Sequence, residues 1–441
     1  MNFSDLNITK PFLRALTDLG FEKATPIQEK AFPVVMSGKD VVAIAQTGTG
    51  KTFAYLLPSL RQLTFNEQLQ PRIIILVPTR ELVVQVVDEI SKLCTYTSLR
   101  FGGIYGGANI NPQKLMIHRG IDVLVATPGR LMDMLSTRVL QVQSIQKLII
   151  DEVDEMLNLG FRAQLLQIMD RMPEKRQNLM FSATLDEDVE KMIEGYFKQP
   201  EYVELVTRGT PLDKIKQTGY LVPNFYTKIN LLEHLLLKDK SLKKVLVFAK
   251  TKKLADAVYK ELSPLFGDEI GIIHSNKTQP QRFEAIDKFG SGSHRVLIAT
   301  DIIARGLDIP EVTHVINIDT PSIPEDYIHR IGRTGRAESI GNAITLITNA
   351  EKVFQKSIEL LMNKKIALIP FPKEVEISDA LTADEKPIKK DKNIHKLTHK
   401  MEVKTGAFHE KKDKNKKVNL GGKRRQERER REEIKYKRKM N

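Results

Sequence analysis

The feature that most restricts the fold is a repeated alternation. Short, β-branched, nearly continuous apolar runs are separated by longer stretches with helical apolar spacing. The runs fall at residues 40–45, 73–77, 123–126, 148–150 and 179–181, and the intervening stretches include 80–94 and 185–197. A strand that is apolar at every position is buried on both faces, so the pattern predicts α/β architecture: a parallel sheet with helices covering it. At Thr207, Arg208, Gly209, Thr210 and Pro211 the apolar periodicity stops, and a second set of runs follows at 245–249, 296–299, 315–318 and 343–347. The expected organisation is a first domain over 1–205, a linker over 206–216, a second domain over 217–372 and a C-terminal extension over 373–441.

A chain of 441 residues with 41% hydrophobic residues is long enough for two cores. Its apolar runs are far shorter than the roughly 20 residues that cross a bilayer, so no membrane partner is expected. The single cysteine, Cys94, cannot form an internal disulfide, and the first thirty residues lack a basic, apolar, cleavable pattern, which together predict a cytoplasmic protein. The net charge of +14 is unevenly spread. Residues 411–441 carry 15 Lys or Arg against 5 Asp or Glu, a net of +10, which leaves +4 for residues 1–410. The extension from about residue 387 is therefore read as a basic segment, disordered alone, with transient helix at 423–438 where Glu and Arg can pair at i,i+4. Its charge suits sequence-indifferent tethering of a polyanionic partner, the bland alternative being a solubilising terminus.

Ala45, Gln46, Thr47, Gly48, Thr49, Gly50, Lys51 and Thr52 follow an apolar strand and precede a helical stretch, the setting of a phosphate-binding loop. Gly48 and Gly50 let backbone N–H groups approach phosphates. Lys51 can reach β and γ oxygens, and the Thr52 hydroxyl can ligate Mg2+. The general pattern begins with Gly where this chain has Ala45. A second strand, at 148–150, delivers Asp151, Glu152 and Asp154 at its C-terminal end, the edge where open α/β sheets bind ligands. Asp151 is expected in the Mg2+ shell, with Glu152 orienting and deprotonating the water that attacks the γ-phosphate of ATP. Without the phosphate loop upstream, the same carboxylates would read as a solvated acidic turn.

Taken in order, these segments resemble the DEAD-box family of superfamily 2 RNA helicases, over residues 3–347. The resemblance implies two tandem RecA-like domains and an RNA-dependent ATPase acting with ATP and Mg2+. Gly20, Phe21, Glu22, Lys23, Ala24, Thr25, Pro26, Ile27 and Gln28 resemble the family's Q motif. Gln28 and Thr25 would read adenine, since a side-chain amide pairs with a donor and an acceptor together, and Phe3 and Phe21 would pack nearby. Pro78, Thr79 and Arg80, the pair Gly106 and Gly107, and Thr127, Pro128, Gly129 and Arg130 are assigned to the RNA backbone, as are Arg282 and Thr300. Ser182 and Thr184, with Asp154, His329 and Arg330, would couple nucleotide state to RNA. Asp308 would face the ribose, and Arg333 and Arg336 match the family's arginine fingers.

The chain departs from the family pattern at Val153, where the eponymous tetrapeptide has alanine, at Ser275 after His274, and at Ala24. His274 and His329 lack any Cys/His spacing and are read as structural or RNA-contacting rather than metal ligands. The resemblance implies a monomeric, RNA-stimulated ATPase that locally unwinds RNA duplexes or remodels RNA–protein complexes, with ribosomal RNA precursors or RNA turnover as settings. Two alternatives stay open: an ATP-gated RNA clamp with little turnover because of Val153, and a DNA-directed helicase.

Overall fold

Seven short strands pair in parallel in the first half of the chain: β1 (Val41–Ile44), β2 (Ile73–Leu76), β3 (Phe101–Ile104), β4 (Val123–Ala126), β5 (Lys147–Asp151), β6 (Gln177–Ser182) and β7 (Glu201–Glu204). Their order across the sheet is β3-β4-β2-β5-β6-β1-β7. This computed structural model describes residues 1–45, 48–64, 66–205, 214–301, 312–335 and 340–386. Gln46, Thr47, Asp308, Arg336, most of the expected linker and the extension from 387, including 423–438, lie outside them.

The two-residue period of a strand divides the core into layers. Val41, Ala43, Ile73, Ile75, Ile149, Leu179 and Phe181 belong to one apolar cluster. Val42, Ile74, Leu76, Leu148, Ile150 and Met180 belong to the other. Truncating one such buried isoleucine to alanine is worth roughly 2–5 kcal/mol. The helices Arg80–Leu93 and Glu187–Tyr196 occupy the two stretches with helical spacing. Strand β3 is one that an apolar-run criterion overlooks, because two of its four residues are glycines. A side chain at Gly102 would meet Met116 Sδ at 2.2 Å, and one at Gly103 would meet Val83 Cγ1 at 2.5 Å, so the overlying helices come closer than any larger residue permits.

The second half repeats the plan with β8 (Ile215–Leu221), β9 (Val245–Phe248), β10 (Ile270–Ile273), β11 (Val296–Ala299), β12 (His314–Asn317), β13 (Gly341–Ile347) and β14 (Ala367–Leu368). Their order is β10-β11-β9-β12-β13-β8-β14. Replacing each number by the one seven lower reproduces the first sheet. Strand β8 begins at Ile215, inside the stretch read as linker, and the chain keeps packing beyond 372. Val375 is buried in the second core, the Ser378 N–H donates to Thr227 Oγ1 at 3.0 Å, and the Phe225 N–H donates to Glu385 Oε1 at 2.7 Å. Met1–Glu385 form one compact unit. No helix among the described residues is long and apolar enough to cross a membrane.

Candidate active site

Strands β5, β6 and β1 lie side by side, so the ends that carry Asp151, Ser182 and Ala45 face one crevice. The Ala45 N–H donates to the Ser182 carbonyl at 3.0 Å. The helix Lys51–Arg61 starts from Gly50, which has φ 91° and no side-chain cap. Such an uncapped N-terminus leaves backbone N–H groups and a positive dipole end for an anion. A side chain at Gly50 would meet Gln28 Nε2 at 2.6 Å, so glycine is required there for space as well as for its backbone angle.

Inside the crevice, polar groups lack partners. Lys51 Nζ, Asp151 Oδ1 and Glu152 Oε2 are buried without a hydrogen bond. Leaving such groups unpaired costs roughly 1–3 kcal/mol each, more when charged, and sites that bind charged ligands tolerate that cost. Burial pushes the Asp151 carboxyl up, with Lys51 opposing. Burial, then the charge of Asp151, pushes Glu152 up to about 7, while Lys51 and Arg333 pull it down. Glu152 also sits at φ 54°, a left-handed conformation that non-glycine residues adopt at some cost and that is common where a side chain must be presented.

Asp154 ties this carboxylate turn to the end of β6. Its Oδ2 accepts from the Ala183 N–H, the Thr184 N–H and the Thr184 hydroxyl at 3.1, 3.0 and 3.1 Å. The two expected aromatics part company. Phe3 is buried in the core, whereas Phe21 is 48% exposed and meets the Phe53 ring edge-on at 5.5 Å. Gln28 accepts from the Thr25 N–H at 2.9 Å and donates to the Gly50 carbonyl at 3.1 Å. One amide hydrogen and one lone pair remain for a ligand such as a base edge.

Residues expected at RNA form a second group. Thr79 Oγ1 caps the helix Arg80–Leu93 by accepting from the Leu82 N–H. The Arg80 guanidinium lies against Gly107, where a Cβ would stand 2.1 Å from Nη1. The side chain of Arg80 also donates to Gln279 Oε1 at 3.3 Å, and Arg282 forms an ion pair with Glu81, so this patch joins the two sheets' domains. Arg130 is buried and donates to Gln113 Oε1 and the Ala108 carbonyl at 3.0 and 3.1 Å, which braces the loop carrying Gly106 and Gly107. Thr127 and Pro128 start the helix Pro128–Ser136, Gly129 has open space around it, and Thr300 follows β11.

In the second domain, Arg330 is buried and paired with Asp301 at 2.8 Å and Asp319 at 3.3 Å, with its guanidinium over the Phe248 ring. The Arg333 Nε donates to the His329 carbonyl at 3.3 Å, and its charge reaches Glu152 of the first domain. His274 is buried between the Asp256 carboxylate and the Asn276 N–H. Sequence reading overlooked Tyr55, Gln113 and Asp319. They come from helices and strand ends with no motif of their own, and only the partner across space marks them.

Residues 25–192 match the DEAD/DEAH box helicase family, and residues 227–338 match the Helicase conserved C-terminal domain. The DEAD-box ATP-dependent RNA helicase CshA of Bacillus subtilis is 38% identical over 381 residues, 86% of this chain and 76% of that protein. The ATP-dependent RNA helicase RhlB of Hamiltonella defensa is 37% identical over 388 residues, 86% of this chain and 90% of that protein. The S. cerevisiae protein Dbp5 bound to RNA and ADP BeF3 superposes with a TM-score of 0.75 at 30% identity, covering 84% of this chain and 95% of Dbp5.

Proposed function

This chain belongs to the DEAD-box ATP-dependent RNA helicases, and from that premise we propose how its two RecA-like domains use ATP to open RNA locally. It is an RNA-dependent ATPase and binds ATP and RNA. The observation that carries the mechanism is the crevice in which Lys51, Asp151 and Glu152 keep buried polar atoms without partners, in a chain whose domains meet through Arg80 with Gln279 and Glu81 with Arg282; in this reading Arg333 of the second domain completes the pocket. Because neither domain holds all of these groups, hydrolysis requires the domains together, and RNA spanning both favours that arrangement.

In this reading the β and γ phosphates lie at the N-terminus of the helix Lys51–Arg61, with Lys51 pairing their charge. Phe21 packs on the adenine, and Gln28 pairs with its edge. Glu152 orients the attacking water and takes its proton, and Arg333, with Arg336, offsets charge on the transferring phosphoryl group. Among the described residues no cluster of three His, Cys, Asp or Glu could hold a metal ion, so the reading of a Mg2+ site rests on a few protein oxygens beside the nucleotide. The ion keeps waters and phosphate oxygens and takes one or two protein ligands. The unpartnered Asp151 Oδ1 and the Thr52 hydroxyl fit that demand. When bound, the ion would supply positive charge that offsets charge developing on the transferring phosphoryl group.

Hydroxyls, backbone N–H groups and arginines around Thr79, Arg80, Gly106, Gly107, Thr127, Gly129, Arg282 and Thr300 suit phosphates and sugars and carry little base information. Cytoplasmic RNA of mixed sequence, including ribosomal precursors and RNA under turnover, is the substrate class we propose, acted on by a single chain. Val153 is fully buried in the apolar core beneath the site, so its added methyl groups pack there rather than in the crevice.

The test is steady-state ATP hydrolysis with single-stranded RNA, with DNA of the same sequence, and without nucleic acid. RNA alone should stimulate, and Glu152→Gln and Arg333→Ala should each lose about 10^3-fold of the stimulated rate. Stimulation retained in Arg333→Ala would overturn the composite site. Equal stimulation by DNA would favour a DNA-directed enzyme, and negligible rates in the native chain and Glu152→Gln alike would favour the clamp.

A further inference from the structure

Tyr55 lies on the same helix as Lys51 and Thr52, one turn further on, and no sequence motif marks it. Its side chain is fully buried, and its ring packs edge-on against Phe181 of β6 at 5.2 Å. A tyrosine can fill an apolar site, but its hydroxyl then requires a partner. Here the partner is Asp151: the phenol O–H donates to Oδ2 at 3.0 Å. Hydrogen bonding by Thr52 also acts on the phenol.

The bond divides the two oxygens of Asp151. Oδ2 is held by Tyr55, whereas Oδ1 is buried with no hydrogen-bond partner. A carboxylate hanging from β5 by one rotatable Cα–Cβ bond and a soft terminal torsion can present either oxygen. A donor on one of them selects which oxygen is left for a ligand. Outer donors of this kind orient the inner ligands of metal sites and govern metal affinity. We propose that Tyr55 is a positioning residue for the metal–nucleotide complex, fixing Asp151 Oδ2 so that Oδ1 is the oxygen offered to the divalent cation. The inference rests on the reading of Asp151 as a Mg2+ ligand and adds to it a residue that touches neither metal nor nucleotide.

Removing the phenol oxygen alone, in Tyr55→Phe, leaves the ring and its contact with Phe181 in place. The measurement is equilibrium binding of fluorescent ADP to the full chain without RNA, titrated with Mg2+ and repeated in EDTA, so that no turnover enters. Tyr55→Phe should weaken the Mg2+ dependence about tenfold, leave binding in EDTA unchanged, and lower the melting midpoint by no more than the loss of one buried hydrogen bond. Asp151→Asn should weaken it at least as much, and the double variant should match Asp151→Asn alone, because Tyr55 acts only through Asp151. An unaltered titration in Tyr55→Phe beside a shifted one in Asp151→Asn would overturn the proposal. So would additive effects in the double variant. Phe181→Leu loosens the packing and keeps the phenol, so it should titrate as the native chain does; if it reproduced the Tyr55→Phe shift, Tyr55 would be packing only. If Asp151→Asn left the titration unaltered, the metal-ligand reading itself would fall.

Discussion

The two domains share one strand order, yet they treat the same crevice in opposite ways. In the first, the helix after β1 begins at an uncapped glycine, and Lys51, Asp151 and Glu152 keep buried polar atoms without partners. In the second, the helix Phe225–Lys238 follows β8 and is capped twice. Asn224 accepts from the Thr227 N–H at 2.9 Å, and the Glu385 carboxylate, returning from the C-terminal side, accepts from the Phe225 N–H at 2.7 Å. Thus a protein carboxylate fills the position that corresponds to the proposed phosphate site of the first domain. The acidic strand end is matched in the same way: Asp319, just after β12, is paired with Arg330 and accepts from the Lys250 N–H. One architecture gives a reactive crevice where its polar groups are left unpaired, and a brace where they are satisfied.

That contrast makes opposite demands on two buried cations. Arg330→Met should strand Asp301 and Asp319 and cost about 3–5 kcal/mol, read as a lower unfolding midpoint of the second domain. Lys51→Met should lower RNA-stimulated hydrolysis about 10^2 to 10^3-fold and lower the unfolding midpoint less than Arg330→Met does, because Lys51 makes no hydrogen bond and only its charge offsets Asp151 and Glu152. If both variants behaved alike in unfolding, the contrast between the crevices would be broken.

The other end of β5 sharpens it. Burial pulls the Lys147 ammonium down to about 8, and its partner, Gln177, is neutral. Below that pH the fold must hold a buried charge. Between about 8 and the ordinary lysine range near 10.5 the folded chain has lost this proton and the unfolded chain has not, so stability should rise with pH across that window, by about 3 kcal/mol in all. Unfolding midpoints against pH for the native chain and Lys147→Met check this, with the slope lost in the variant. The smallest effect is expected at the cap: Glu385→Ala should cost about 1 kcal/mol in second-domain stability and leave ADP binding unchanged.

Much of this was legible in the residues. The runs at 123–126 and 296–299 coincide with β4 and β11, because strands buried on both faces are apolar throughout. The phosphate loop and its carboxylates stood out because phosphate chemistry restricts residue type and spacing within a short segment. Strands β3, β7 and β10 were not legible: glycines carry no apolar signal, and the edge strand β7 is exposed at three of its four positions. Phe3 and Phe21 were read alike, and only packing separates the buried ring from the exposed one. Arg130 read as a contact to RNA, whereas its hydrogen bonds to Gln113 and Ala108 support a bracing role that no local pattern encodes.

Sequence alone determined the α/β class, the two-domain plan and which segment we propose to meet phosphate, since each depends on local periodicity or on residues adjacent in the chain. Tertiary structure alone decided which crevice stays unsatisfied and which closes on itself. The partners that decide it, Tyr55 with Asp151, Glu385 with Phe225 and Arg330 with Asp301 and Asp319, are 96, 160, 29 and 11 residues apart. A hydrogen bond depends on distance in space, and strand order, not chain order, sets that distance.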